Sequence, residues 1–324
     1  MTTEKEKDAR PTPQAPTSPK YLWHNGKLLP WETATVHITN IGWTAISAVF
    51  EGIRAYWNEV EQELYIFRLE EHLRRLDNSM KIMRMIPPFS RQELKQAIIE
   101  LLRGNELKED SYIQPLAYFS GAVPGYRAVE GQPAEILITT RPAPSSLNSG
   151  RESNCCISTW VRICDNSMPP RAKCLTNYQN SRLVSTEARI NGYDGGIILN
   201  TQGKVAEGAY ACIFIVRDGM AITPGVTAGI LESITRASVI QLCNEVLKVP
   251  VKERDVDRTE LYIADETFLC GTLAEIEAVV SVDRYPVGSG KEGPITKAVE
   301  RLYHDVARGL DSRYTSWRAP VWQG

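Results

Sequence analysis

Apolar positions recur along the chain with two different spacings, and each spacing predicts one kind of element. Segment 90–104 has apolar residues three and four positions apart, and it starts with Ser90 and Glu93, the two residues of a capping box. This pattern predicts a helix. Segments 111–119 and 134–140 are short, apolar and rich in β-branched and aromatic residues, which predicts strands.

Turn residues separate many of the strand-like runs. Dipeptides that favour tight hairpins stand between such runs at 25–26, 202–203 and 218–219. Further helices are predicted between Lys173 and Gly192, from near Ser233, and up to Gly309. Because hairpins are frequent and a strict strand–helix–strand rhythm is missing, the pattern predicts an α+β (mixed α/β) fold.

The chain of 324 residues is long enough for two domains. Residues 1–20 are charged and then rich in Pro, Thr and Ser, which predicts a disordered tail. Residues 21–140 are predicted to form a small N-terminal domain. Residues 141–153 are rich in Pro, Ser and Gly and are predicted to be the interdomain linker, followed by a larger domain over 154–324.

Composition narrows the classes of function. A net charge of −2 gives no electrostatic reason to expect a nucleic acid or an anionic membrane as partner. The seven cysteines are scattered without a C-x-x-C pair, which favours reduced thiols over a disulfide framework or a zinc site. No apolar run is long enough to span a membrane, and the N-terminus lacks the apolar region of a signal peptide, so a cytoplasmic location is expected.

Lys173 is the first candidate for chemistry. It lies among Ala172, Cys174 and Leu175, without an acidic neighbour nearby along the chain, and Tyr178 follows five residues later. Desolvation disfavours the charged form of a lysine, and a neutral amine can attack a carbonyl such as the aldehyde of pyridoxal phosphate. The alternative is a lysine that extends from a partly buried loop into water.

A pyridoxal phosphate site also needs an acid for the ring nitrogen and a cradle for the phosphate. Glu207 stands at the end of a predicted strand, although a hairpin-edge glutamate in solvent is the alternative. Residues 233–235 begin a predicted helix, where free backbone N–H groups favour an anion; the alternative is that Ser233 is a plain N-cap. Thr272 after a glycine and the cation of Arg68 are further candidates.

Two other motifs are weak. The glycines and lysine of 288–297 lack the register of a phosphate-binding loop. The sequence has no G-x-S-x-G nucleophile elbow, so a hydrolase triad is not supported.

A series of short motifs, taken in order, resembles the class IV pyridoxal-phosphate aminotransferases, above all the branched-chain amino acid aminotransferases. The motifs are "FEGIRAY", "FRLEEHLRRLDNS", "PRAK…NY", "GYDGGIILNTQGKVAEG", "ITRASVI" and "ELYIADETFLCGT", and the likeness extends from about Tyr21 to Gly309. The resemblance implies the two-domain fold type IV, with a small N-terminal α/β lobe and a larger C-terminal pseudo-barrel lobe. It also implies a homodimer with shared active sites.

The resemblance implies a role for each matching position. Lys173 corresponds to the catalytic lysine that binds the cofactor covalently, Glu207 to the partner of the pyridine nitrogen, and Tyr178 to the tyrosine at the phenolic oxygen. The positions that match the phosphate cup are Arg68, Ile234, Thr235 and Thr272. The positions that match the substrate pocket are Phe50, Arg54, Tyr112, Gln114 and Leu273. No metal is implied.

The reaction implied by the resemblance is a ping-pong transfer of the amino group from a branched-chain L-amino acid to 2-oxoglutarate. A class IV transaminase for amines, aromatic amino acids or D-amino acids is an alternative, and so is an aminodeoxychorismate-lyase-like enzyme. A non-catalytic binding protein with this fold is a further alternative, against which the intact Lys173, Tyr178 and Glu207 count.

The residues that bind the cofactor match the family pattern better than the residues that bind the substrate. Gln114 stands where branched-chain enzymes usually carry an arginine, and Ala45 where a pocket tyrosine is common. Tyr210 and Cys212 replace small and amide groups near the cofactor. These changes leave the amino donor open. The glycines of 121–131 predict a mobile loop near the entrance of the pocket.

Overall fold

A computed structural model describes residues 18–119 and 134–323. The first seventeen residues of the predicted tail and the predicted loop 121–131 lie outside the described residues. Across the part of the chain that is described, no helix is both long and apolar enough to cross a membrane. The same part contains no group of three or more His, Cys, Asp or Glu side chains placed to hold a metal ion.

The described residues form two sheets and six α-helices. The strands of the N-terminal part are β1 (Tyr21–His24), β2 (Lys27–Pro30), β3 (Val49–Phe50), β4 (Ile53–Asn58), β5 (Glu63–Phe67), β6 (Ser111–Tyr118) and β7 (Glu135–Pro142). The later strands are β8 (Glu152–Val161), β9 (Gly195–Leu199), β10 (Val205–Gly208), β11 (Cys212–Arg217), β12 (Met220–Thr223), β13 (Val251–Glu253), β14 (Glu266–Gly271), β15 (Glu275–Val282), β16 (Tyr285–Pro286) and β17 (Arg318–Pro320). The helices are α1 (Ile41–Ser47), α2 (Leu69–Ile82), α3 (Arg91–Gly104), α4 (Tyr178–Ile190), α5 (Ile234–Leu242) and α6 (Pro294–Arg308).

The two sheets correspond to two lobes. The first has the order β17-β5-β4-β6-β7-β1-β2, with β3 beside β6, and its pairs are antiparallel. The second has the order β10-β9-β8-β15-β14-β11-β12-β13, with β16 beside β15, and β8 runs parallel to both of its neighbours. Helices α2 and α3 cover the first core, and α5 and α6 pack against the second.

Short-range sequence signals are confirmed. The hydroxyl of Ser90 accepts a hydrogen bond from the backbone of Glu93, whose carboxylate accepts one in return from the backbone of Ser90, which is the predicted capping box. Ser233 caps α5 by accepting a hydrogen bond from the backbone N–H of Arg236, without a reciprocal bond. The predicted hairpin at 25–26 is present, with His24 paired to Lys27.

The predicted linker 141–153 lies between the two sheets. Strand β7 continues to Pro142 and β8 begins at Glu152, so both ends of this segment belong to strands. The C-terminal strand β17 returns to the first sheet, where Arg318 pairs with Phe67 on β5. A strand's partner is set by tertiary contacts far along the chain, and local composition carries no signal for it.

Candidate active site

The candidate site is a cavity where the two lobes meet. The first lobe contributes Phe50, Gly52, Arg75 and Tyr112 to its wall. The second lobe contributes Arg162, Lys173, Tyr178, Glu207, Tyr210, Cys212, Ser233, Thr272 and Leu273, among others. The sequence-predicted lysine, tyrosine and glutamate are therefore brought together around one cavity.

The backbone of Lys173 is fixed by the first lobe on both sides. Its carbonyl accepts a hydrogen bond from the N–H of Phe50 at 2.9 Å, and its own N–H donates to the hydroxyl of Ser79 on α2 at 3.0 Å. The neighbouring Leu175 donates to the carbonyl of Ala48 at 3.0 Å. Because backbone bonds rather than a flexible loop hold this segment, the lysine side chain starts from a defined position.

The amine of Lys173 is surrounded by aromatic rings. The side chain is buried, and Nζ donates a hydrogen bond to the hydroxyl of Tyr178 at 2.5 Å. Nζ also lies 4.6 Å from the ring centroid of Phe50, within the range of a cation–π contact. Among the described residues no carboxylate forms an ion pair with this amine. The environment is that of a nucleophilic amine rather than of a surface lysine.

Glu207 is buried at the same cavity. Its Oε1 lies 2.9 Å from Nη2 of Arg162, and its Oε2 accepts a hydrogen bond from the backbone N–H of Leu231 at 3.1 Å. Burial raises the pKa of the Glu207 carboxyl above its ordinary value, while Arg162 and the Leu231 N–H act against that rise. A positively charged group brought into the cavity next to this carboxylate would be stabilised by it.

Arg162 was missed in the sequence analysis. It follows directly after β8, and its Nε donates to the carbonyl of Gly229 at 2.9 Å while Nη2 contacts Glu207. Nothing in the local pattern around Arg162 indicates a partner so far along the chain. The pairing becomes visible only when β8, β9 and β10 are placed side by side.

The predicted phosphate cup is centred on the start of α5. Ser233 and Thr272 line the cavity, and the first N–H groups of a helix have no intrahelical acceptors and favour an anion. Arg68 reaches the same helix, with Nη1 donating to the hydroxyl of Ser238 at 3.2 Å. Its Nε lies 2.6 Å from the carboxylate of Glu71. Arg68, Ile234 and Thr235 are not among the residues that line the cavity.

The predicted substrate residues take different positions. Phe50, Tyr112 and Leu273 line the cavity. Arg54 does not: its guanidinium donates to the backbone carbonyls of Thr272, Ala143 and Pro144 and lies 3.5 Å from the carboxylate of Glu275. It thereby ties the first lobe to the second. Gln114 is half-buried on β6, outside the wall, and Ala45 is exposed on α1.

A buried ion network supports the wall from behind. The carboxylate of Glu51 accepts hydrogen bonds from Nε and Nη2 of Arg75 at 2.6 and 2.8 Å, and it lies 2.7 Å from Nδ1 of His72. Burial alone would raise the pKa of Glu51, but Arg75 and His72 lower it to about 2. The sequence analysis did not identify this network, although its residues lie in two of the quoted motifs.

Comparison with known proteins identifies the family. Residues 48–282 match the family described as amino-transferase class IV. The chain belongs to this family.

The curated relatives of this class IV aminotransferase include branched-chain enzymes. The probable branched-chain-amino-acid aminotransferase of Aquifex aeolicus is 42% identical over 93% of this chain and 97% of its own length. The branched-chain-amino-acid aminotransferase of Escherichia coli is 36% identical over 92% and 96% of the two chains.

Solved structures agree with the fold. The branched-chain amino acid aminotransferase of Thermobaculum terrenum, solved in its PLP-form, superposes with a TM-score of 0.91 at 51% identity, over 94% of this chain and 99% of that one. The Escherichia coli enzyme gives a TM-score of 0.88 at 36% identity, over 94% and 99%. The predicted fold type IV is confirmed, and this class IV aminotransferase is a pyridoxal-phosphate-dependent enzyme.

The residues around the cavity fit that cofactor. The cavity offers a buried amine at Lys173, a buried carboxylate at Glu207 and the N-terminal end of a helix at Ser233. These three groups suit an aldehyde, a protonated ring nitrogen and a phosphate group, respectively. When bound, pyridoxal phosphate supplies an aldehyde that reacts with amines and a ring that accepts electrons.

The chain's own residues then supply binding and proton transfer. Nζ of Lys173 would bind the aldehyde and, when free, would accept a proton from the substrate and return it. The hydroxyl of Tyr178, which accepts a hydrogen bond from Nζ, would hold the amine in place for both tasks. Glu207, held by Arg162, would present its carboxylate to the ring nitrogen of the bound cofactor.

Proposed function

We propose that the protein transfers the amino group of a branched-chain L-amino acid to 2-oxoglutarate by a ping-pong mechanism. The observation that carries the proposal is one cavity that combines the buried amine of Lys173 and the buried Glu207 with a largely apolar wall. The names of the relatives support the same donor class.

The wall suits an aliphatic side chain. Phe50 and Leu273 present apolar surface to the cavity, and burying a donor's methyl groups against them is favourable. The hydroxyl of Tyr112 is the polar group of the first lobe that would receive the substrate carboxylate. Of the four predicted phosphate residues only Thr272 lines the cavity; the first backbone N–H groups of α5, at Ile234 and Thr235, and the charge of Arg68 would complete the phosphate site.

An aromatic donor is the second candidate, and Tyr210 favours it. The ring of Tyr210 stacks on Tyr178, with centroids 6.0 Å apart and planes inclined by 27°, and it is 54% exposed at the cavity. Such a surface is able to stack with an aromatic substrate. The choice between the two donor classes is made by the experiment below.

We also propose that the enzyme acts as a homodimer. Val36, Ile38, Ile41 and Ile46 are apolar and 50–78% exposed, and they precede the cavity strand β3. A row of exposed apolar side chains marks an interaction surface. A second copy covering this row would lie beside the cavity. A cytoplasmic location, with no nucleic acid or membrane partner, stays a prediction.

The test is a spectral titration of the purified holoenzyme. L-leucine, L-valine, L-phenylalanine, D-alanine and a chiral aryl-alkyl amine are added one at a time, and the visible band of the lysine-bound cofactor is followed. We expect L-leucine and L-valine to remove the band and 2-oxoglutarate to restore it, with Lys173→Ala inactive. Removal of the band by L-phenylalanine or the amine alone would overturn the donor class. Absence of any band with added cofactor would overturn the enzyme assignment for this site.

A further inference from the structure

A second arginine lies on the strand face that carries the cavity's tyrosine. Tyr112 on β6 pairs directly with Arg141 on β7, and residues opposite each other in an antiparallel pair share one face of the sheet. The guanidinium carbon of Arg141 lies 5.0 Å from the ring centroid of Tyr112. Gln114, two residues along β6, is on the same face. The cation next to Tyr112 therefore comes from the neighbouring strand, and position 114 has a neutral amide.

The charge of Arg141 has no counter-ion among the described residues. The side chain is exposed, and its described hydrogen bond runs from Nη1 to the carbonyl of Pro142 at 3.4 Å. Arg75 is the other arginine whose charge acts on the Tyr112 hydroxyl, and two of its nitrogens are bound to the carboxylate of Glu51. A guanidinium without a counter-ion, lying over the ring of a tyrosine that lines the cavity, is suited to bind an incoming carboxylate.

The hydroxyl and the ring face of Tyr112 have different surroundings. The hydroxyl lies in the interior beside Gly52, where an added Cβ would overlap with it. Arg141 lies over the ring at an exposed position. The reacting carbon of a substrate must lie near Nζ of Lys173, so the carboxylate attached to that carbon stays in the interior. The distal carboxylate of a dicarboxylate extends outwards instead.

We propose that Arg141 binds the distal carboxylate of the dicarboxylate partner, 2-oxoglutarate or glutamate, and sets the specificity of that half-reaction. The inference rests on the proposed function, because it takes a dicarboxylate as the second substrate. An aliphatic amino acid has no distal carboxylate. Arg141 therefore contributes to one half-reaction and leaves the other unaffected.

The test compares the two half-reactions of the holoenzyme in Arg141→Gln. This change removes the charge and keeps a polar amide. We expect the concentration of L-glutamate that half-converts the cofactor to rise about tenfold, and the KM for 2-oxoglutarate to rise by a similar factor. The corresponding values for L-leucine and its oxo acid should change by less than about twofold, since they lack the group that Arg141 binds.

Two further variants separate a local effect from a general one. Arg189→Gln removes an exposed arginine from α4, away from the cavity wall, and is the matched control. Gln114→Arg, introduced into Arg141→Gln, places a guanidinium back on the same face of β6. We expect this second change to recover most of the L-glutamate response without altering the L-leucine response.

The outcomes separate this inference from the proposed function. Equal losses for L-glutamate and L-leucine, or no loss for either, would overturn the role of Arg141. If the wild-type enzyme converts L-leucine but not L-glutamate, the inference is overturned and the donor class stands. If it converts L-glutamate but not L-leucine, and Arg141→Gln loses that activity selectively, the donor class is overturned and the role of Arg141 stands. Failure with both amino acids would overturn both.

Discussion

The carboxylate of Glu207 and the guanidinium of Arg162 form a buried ion pair, with 2.9 Å between Oε1 and Nη2, in the wall of the cavity that also holds Lys173. Removing one partner of such a pair leaves an uncompensated charge in the interior, which is far more costly than the pair itself is favourable. Arg162 therefore keeps the negative charge of Glu207 available before any cofactor binds.

Replacement of Arg162 by Met should destabilise the apo-protein by about 3 kcal/mol at pH 8. The pKa of Glu207 is raised in the folded state, whereas in the unfolded state the carboxyl has its ordinary pKa of 4.5. The folded state therefore holds a proton that the unfolded state has released, and the contribution of Glu207 to the free energy of unfolding falls as pH rises from 4.5 to the folded-state pKa. Loss of Arg162 raises the folded-state pKa further and extends this pH range. Urea unfolding at pH 5 and pH 8 measures the effect. Equal destabilisation at both pH values would contradict this account, and Arg162→Lys, which keeps the charge, is the control.

Replacement of Glu51 by Gln should cost about 3 kcal/mol of unfolding free energy at pH 7, because Arg75 loses its buried counter-ion. The pKa of Glu51 is lowered from 4.5 to about 2, so its contribution is complete above pH 4.5 and is lost as pH falls towards 2. The difference between wild type and variant should therefore shrink between pH 5 and pH 3. Chemical denaturation of both proteins between pH 5 and pH 3 measures their free energies of unfolding. A difference between the two that stays constant over this range would show that the charge of Glu51 is not responsible.

Replacement of Gly52 by Ala should displace the hydroxyl of Tyr112. A Cβ at position 52 would lie 2.9 Å from Cζ of Tyr112 and 3.1 Å from Cε2, which is closer than ordinary van der Waals contact. We expect the KM for L-leucine and for L-glutamate to rise together by about tenfold, since both present the same α-carboxylate. Steady-state kinetics measures the change. Gly225→Ala is the control, because its Cβ would meet Thr227 Oγ1 at 3.9 Å, and unchanged KM values in Gly52→Ala would refute the prediction.

Replacement of Tyr178 by Phe removes the acceptor of the hydrogen bond from Lys173 Nζ while keeping the ring. The edge contact with Phe50, at 4.9 Å between centroids, is expected to persist. We predict a fall in kcat of about tenfold, equal for L-leucine and L-glutamate, because the amine is used with every substrate. Single-turnover spectroscopy with both amino acids measures it. A loss restricted to one amino acid would assign Tyr178 to substrate recognition instead.

Replacement of Ile46 by Glu tests the proposed dimer. Ile46 is 55% exposed on α1, and a charge buried in an interface without a partner costs several kcal/mol. We expect light scattering after size exclusion to show a dimer for wild type and a monomer for the variant. Ile190→Glu is the control, since Ile190 is 79% exposed at the end of α4. An unchanged dimer in Ile46→Glu would place the interface elsewhere.

Features set by neighbours along the chain could be predicted from the sequence. The capping box of Ser90 and Glu93 spans three residues, and the hairpin at 25–26 depends on two residues that accept positive φ angles. The contact between Lys173 and Tyr178 spans five residues, within one short segment. The order of several such motifs was enough to indicate the family, whose membership is confirmed.

The sequence by itself determined the two-lobe mixed fold and the family, because local propensities and motif order carry that information, and it predicted Lys173 as the reactive lysine. The tertiary structure decided which distant partner each arginine meets: Arg162 the carboxylate of Glu207, Arg75 that of Glu51, and Arg141 the ring of Tyr112. Each of these contacts depends on strand order and register or on helix packing. A shift of register by one residue would move Arg141 to the opposite face of the sheet, and the local pattern around an arginine does not specify its distant partner.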